Sequence, residues 1–123
     1  MEKFSISKRL KSFTYAGKGL KSFIRKEHNA WIHSAATVLV IMMGIVFGIS
    51  RMEWIVIILC IGVVFAAEAF NTAIERLVNL VSPKYNPIAG DVKDIAAGAV
   101  LICAIAAAIV GGMIFIPKLC LLF

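Results

Sequence analysis

The sequence predicts an all-α integral membrane protein, one amphipathic N-terminal helix followed by three membrane-spanning helices. Three observations predict it. Of 123 residues, 61% are hydrophobic and only 16% charged, whereas a soluble domain of this length has too little interior to hide so much apolar side chain. The positive charge is sorted: Lys3, Lys8, Arg9, Lys11, Lys18, Lys21, Arg25 and Lys26 hold eight of the thirteen Lys and Arg residues. Finally, three apolar runs are long enough to cross a hydrocarbon core of about 30 Å at about 1.5 Å per helical residue.

The first element is residues 5–26, SISKRLKSFTYAGKGLKSFIRK. Ile6, Leu10, Phe13, Leu20, Phe23 and Ile24 recur there at helical spacing, with lysine and arginine between them. That pattern suits a helix lying among anionic lipid headgroups, and beside long apolar runs it argues against nucleic acid as the partner. Gly17 and Gly19 are expected to weaken or break the helix in its middle. The first span, 30–49, carries no full charge. The turn at 50–53 is short, so the second span, 54–81, returns antiparallel. It is apolar as far as Ala67 and then turns polar with Glu68, Asn71, Thr72, Glu75, Arg76 and Asn79. The connector 82–93 holds two prolines and a glycine and ends that helix. The third span, 94–116, is rich in Ala and Gly, as close helix packing requires, and Pro117 is expected to close it. The pattern reads as one domain over 1–123 with no internal repeat.

Orientation follows from the loops. The N-terminal segment and the second connector carry nearly all the positive charge, while the first turn and the tail add only Arg51 and Lys118. The positive-inside rule therefore expects a cytoplasmic N-terminus and connector and an outside C-terminus; the expected location is the cell's inner (cytoplasmic) membrane. The basic N-terminus does not read as a signal peptide, since no small-residue cleavage site follows a short apolar core. Cys60, Cys103 and Cys120 lie in or beside apolar stretches without CxxC spacing and read as small apolar residues. AGKGL at 16–20 lacks the spacing of a P-loop.

The acidic residues point to chemistry. Apart from Glu2 and Glu53, they collect on the expected cytoplasmic side: Glu27, Glu68, Glu75, Asp91 and Asp94. Glu68 and Glu75 are two turns apart, about 10 Å along one helix face, with Asn71 between them. Measured from Trp54, Glu68 lies about 21 Å along the helix, within the slab, where an ionisable side chain costs roughly 3 kcal/mol and needs a partner or a proton. Such a carboxylate suits a general base. Glu27 and Glu75 are expected at the interface, as two hard oxygen donors for a Mg²⁺–phosphate group. Lys93 and Asp94 are expected to open the third span, where backbone N–H groups favour a phosphate. His28 and His33 read as interfacial polar residues.

The runs EAFNTAIE at 68–75 and KDIAAGAV at 93–100 resemble the signature of the small prokaryotic diacylglycerol kinases and the similar undecaprenol kinases, over nearly the whole chain. The resemblance implies a homotrimer with sites shared between subunits, using Mg-ATP to phosphorylate a membrane lipid hydroxyl. It implies Glu68 as catalytic base and Glu27 and Glu75 as ligands of metal and ATP phosphate. Lys93 and Asp94 match nucleotide contacts, Asn71 a polar partner of the site, and Lys8 and Tyr15 further nucleotide contacts on the surface helix. One departure is Asn79, where the family commonly has Asp. The segment NAWIHSAA at 29–36 is similar to the undecaprenol branch; the residues themselves leave diacylglycerol and undecaprenol both open as acceptor. Two other classes compete: a proton-coupled transporter subunit using Glu68, and a non-catalytic assembly factor whose carboxylates pair with neighbouring subunits.

Overall fold

The computed structural model describes residues 3–123 and is helical almost throughout. Helices α1 (Ile6–Lys26), α2 (His28–Phe47), α3 (Arg51–Val81) and α4 (Pro87–Cys120) follow one another with very short joints. Three of them, α2 to α4, are long and apolar enough to cross a membrane.

Each boundary has a local cause. Ser5 caps α1, its hydroxyl accepting from the Lys8 amide. Glu27 alone is extended, φ −108° and ψ 120°, and bends the chain from α1 into α2. Gly48 stands in the left-handed region at φ 60°, donating to the Ile45 carbonyl while Ile49 donates to that of Gly44. This paired closure satisfies two carbonyls at the end of α2. Ser50 and Glu53 then form a reciprocal capping box on α3, worth about 1 kcal/mol at the Ser. Asn86 caps α4 by accepting from Ile88 and Ala89, with Pro87 at the first helical position, where a missing N–H costs nothing.

Four features of the helices differ from expectation. Gly17 and Gly19 do not interrupt α1; a glycine costs only about 1 kcal/mol against alanine inside a helix. The expected first turn is shorter, because residues 51–53 already belong to α3. Helix α4 starts at Pro87, seven residues before 94, since the Asn-Pro cap starts it as soon as the bend at 82–86 is made. Nor does Pro117 close α4, which runs on to Cys120. Close to a C-terminus, one lost hydrogen bond leaves little helix beyond it to disrupt.

The lengths set the architecture. At about 1.5 Å per residue, the 20 residues of α2 match a hydrocarbon core, while α3 (31 residues) and α4 (34 residues) exceed it by roughly 16 to 20 Å. Helix α3 packs mainly on α4 and less on α2, while α1 touches the bundle lightly. At the turn end of the bundle, Ile49, Ile57, Ile114 and Phe115 form a buried cluster with Phe47, Trp54 and Val110 around it. Gly44 makes room for Trp54: a Cβ there would lie 2.6 Å from the indole ring. An ion pair between Lys118 and Glu53, 2.9 Å, ties α4 to the start of α3. In lipid, where apolar surface gains little from leaving one apolar medium for another, such close packing is what holds helices together.

Candidate functional site

The buried stripe of α3 changes character along its length. Ile57 and Val64 occupy it in the turn half; Glu68, Asn71 and Thr72 continue it toward the connector. These positions recur at the three-, four- and seven-residue spacings that return to one helix face. On α4 the buried residues of the connector-side half are the small Ala96 and Val100, among the described residues.

Glu68 is 3% exposed, and its partner comes from α2: His33 Nε2 lies 3.0 Å from Oε1 of Glu68. The helix arithmetic shows why they meet. His33 stands about 21 Å back from the end of α2 at Phe47, and Glu68 about 25 Å on from the start of α3 at Arg51. Antiparallel neighbours of those lengths bring both to one depth. The His33 ring also meets Phe65 edge-on, with centroids 6.3 Å apart. One turn beyond Glu68, Asn71 is buried and its Oδ1 accepts no hydrogen bond among the described residues. An unpaired buried amide oxygen costs about 1–3 kcal/mol, an expense found where a ligand later supplies the donor.

At the connector end the remaining candidates spread over three helices. Glu27, half-buried at the α1–α2 bend, lies 3.6 Å from Arg76 Nη2, and Nη1 of the same guanidinium donates to Ser22 Oγ at 3.1 Å. Arg76 thereby ties α1 to α3. Glu75, the preceding residue, is half-buried and takes no hydrogen bond or ion pair among the described residues. Lys93 is half-buried and donates to the Asn79 side-chain oxygen; Asp94 is exposed. Lys8 and Tyr15 are exposed on α1.

Two expectations change here. Lys93 and Asp94 lie about two turns inside α4 rather than at its start, so the free amides of a helix N-terminus are not theirs. Asn79, with a neutral side-chain oxygen, accepts from Lys93. His33, read as interfacial, is the partner of Glu68; equal depth on neighbouring antiparallel spans was the signal that would have found it.

Among the described residues no three His, Cys, Asp or Glu side chains converge as a metal cluster. Mg²⁺ does not need one: it takes one or two carboxylates and completes its shell with water and phosphate oxygens. Glu27 and Glu75 carry the hard oxygen donors that suit such an ion, and Glu75 has no competing partner among the described residues.

The fold and its buried ionisable pair define a multi-pass helical membrane protein with a polar site in one half of its bundle. Residues 14–115 match the family model of prokaryotic diacylglycerol kinase, and the chain belongs to that family. It is 44% identical, over 89% of both chains, to a protein named undecaprenol kinase from Bacillus subtilis. It is 39% identical to a Synechocystis protein named diacylglycerol kinase, over 89% of this chain and 63% of that one. With a diacylglycerol kinase of Escherichia coli the identity is 28%, over 81% of this chain and 82% of the other. The chain is accordingly a lipid kinase by family.

Proposed function

We propose that this chain transfers the γ-phosphoryl group of ATP to the hydroxyl of a membrane lipid, with Glu68 as general base. One observation carries the reading: a carboxylate buried inside a membrane span, beside a histidine, in a chain of the prokaryotic diacylglycerol kinase family. The lipid oxygen attacks the γ-phosphorus, Glu68 takes the hydroxyl proton, and ADP leaves with the electrons of the broken P–O bond. Phosphoryl transfer asks chiefly for positioning and positive charge. Glu27 and Glu75 are the residues to hold Mg²⁺, which when bound neutralises charge on the phosphate oxygens. Lys93 adds positive charge, and Asn71, Asp94, Lys8 and Tyr15 complete the nucleotide contacts.

Half-exposed Glu75 and exposed Asp94 on the surface of a single chain fit a homotrimer in which a neighbouring copy completes each site. The exposed apolar residues of α1, Ile6, Leu10 and Phe13 among them, with lysines between, fit a helix resting on anionic headgroups. The charge bias favours an active site and N-terminus on the cytoplasmic side of the inner membrane, and the pattern favours a single kinase domain over 1–123. Neither the transporter nor the assembly reading gains support from the fold or the family.

The 44% identity to a protein named undecaprenol kinase, above that to either named diacylglycerol kinase, favours a polyprenol alcohol as acceptor. The test is transfer of labelled γ-phosphate by the purified protein in mixed micelles, with undecaprenol and diacylglycerol offered separately, with and without Mg²⁺. Mg²⁺-dependent label in undecaprenol, well above that in diacylglycerol, is expected. A preference for diacylglycerol would move the substrate, and no label in either lipid would defeat the kinase.

A further inference from the structure

We infer that His33 is a positioning residue, fixing the Glu68 carboxylate for proton abstraction from the lipid hydroxyl. The inference rests on the lipid-kinase reading with Glu68 as base. An ionised carboxylate only accepts hydrogen bonds, so Nε2 of His33 carries the hydrogen and donates it to Oε1. Oε2 accepts no hydrogen bond among the described residues, which leaves it for the incoming proton. The imidazole itself rests against an aromatic ring: it meets Phe65 edge-on, three residues before Glu68 on the same helix.

A carboxylate at this depth has no water shell to hold its plane. A single fixed donor on one oxygen sets that plane and aims the other oxygen. Without it the carboxylate turns about its last bond and meets the hydroxyl in line less often. Loss should therefore fall on kcat and spare ATP binding, because Glu27, Glu75 and Lys93 do not touch His33. A misplacement of about 1 Å in a reacting group costs on the order of 100-fold.

The conservative variants discriminate. The amide nitrogen of glutamine sits where imidazole Nε2 does along the side chain, whereas that of asparagine matches Nδ1 and falls short. His33→Gln is expected to keep kcat within about 10-fold, while His33→Asn and His33→Leu lose about 100-fold with KM for ATP changed less than about 2-fold. The double variant Glu68→Gln with His33→Leu should be no slower than Glu68→Gln alone, since His33 acts only through Glu68. Melting in detergent, followed for each variant, separates a folding loss from a catalytic one.

Equal impairment of the Gln and Asn variants, or full kcat in the Leu variant, overturns the inference. So does an additive loss in the double variant. A wild-type protein that labels no lipid, or a Glu68→Gln protein that turns over normally, instead overturns the underlying kinase reading and this inference with it.

Discussion

The two ends of the bundle are built from the same three helices by opposite means. The turn end is closed by fit: Gly44 admits Trp54, Ile49 folds back over Gly44, and Ile57, Ile114 and Phe115 complete a dry cluster. Its helix ends are satisfied locally by Gly48 and by the Ser50–Glu53 box. The connector end buries Glu68, Asn71 and Thr72 on the stripe that carries Ile57 and Val64 above, and leaves Asn71 Oδ1 unpaired. One end spends its packing on rigidity, while the other gives up apolar contact to hold ionisable groups inside the membrane. The contrast teaches that close packing and buried ionisable groups are kept at opposite ends of the same α2–α3 hairpin.

If so, substitutions at the connector end should cut activity and spare stability, and those at the turn end should do the reverse. The largest effect is expected from Glu68→Gln, a fall in kcat of about 10²- to 10⁴-fold, the usual contribution of a general base. Bound nucleotide, measured by a fluorescent ATP analogue, should be unchanged, and melting in detergent should not fall. Next, Glu75→Gln should raise the Mg²⁺ concentration for half-maximal rate by roughly 10-fold or more, as losing one of two carboxylate donors implies; a flat response would make Glu75 structural. At the turn end, Gly44→Leu should destabilise by about 1–3 kcal/mol through overpacking against Trp54, read as a lower melting temperature at normal KM for ATP. The smallest effects belong to the part-exposed ion pairs. Lys118→Met should lower the melting temperature barely measurably and cost no activity. Arg76→Gln should cost equally little in melting temperature but expose the α1 joint to faster proteolysis. A turn-end variant that loses activity while melting normally would break the division of labour.

Much of the fold was legible because its causes are local or one-dimensional. Apolar run lengths set three spans, the turn expected at 50–53 was too short for anything but an antiparallel hairpin, and the switch from apolar to polar at Glu68 marked the polar half of the bundle. The boundaries were less legible. The Asn86-Pro87 cap starts α4 seven residues early, which took Lys93 and Asp94 away from the helix start. Pro117, by contrast, is tolerated where little helix follows. At the site, the acidic residues were visible as type and spacing, but their partners were not.

By itself, then, the sequence determined the helical class, the three spans, the polar face of α3 and the family, since periodicity, length and motif are properties of the chain read along its length. Only the tertiary structure decided that His33 meets Glu68, that Arg76 bridges Glu27 and Ser22, and that Lys93 rests on Asn79. Those pairings are separated by 14 to 54 positions in the chain, and their geometry depends on how far each helix slides and turns against its neighbour. That register depends on how the side chains of facing helices interdigitate, a property of two surfaces in contact that no single stretch of residues contains.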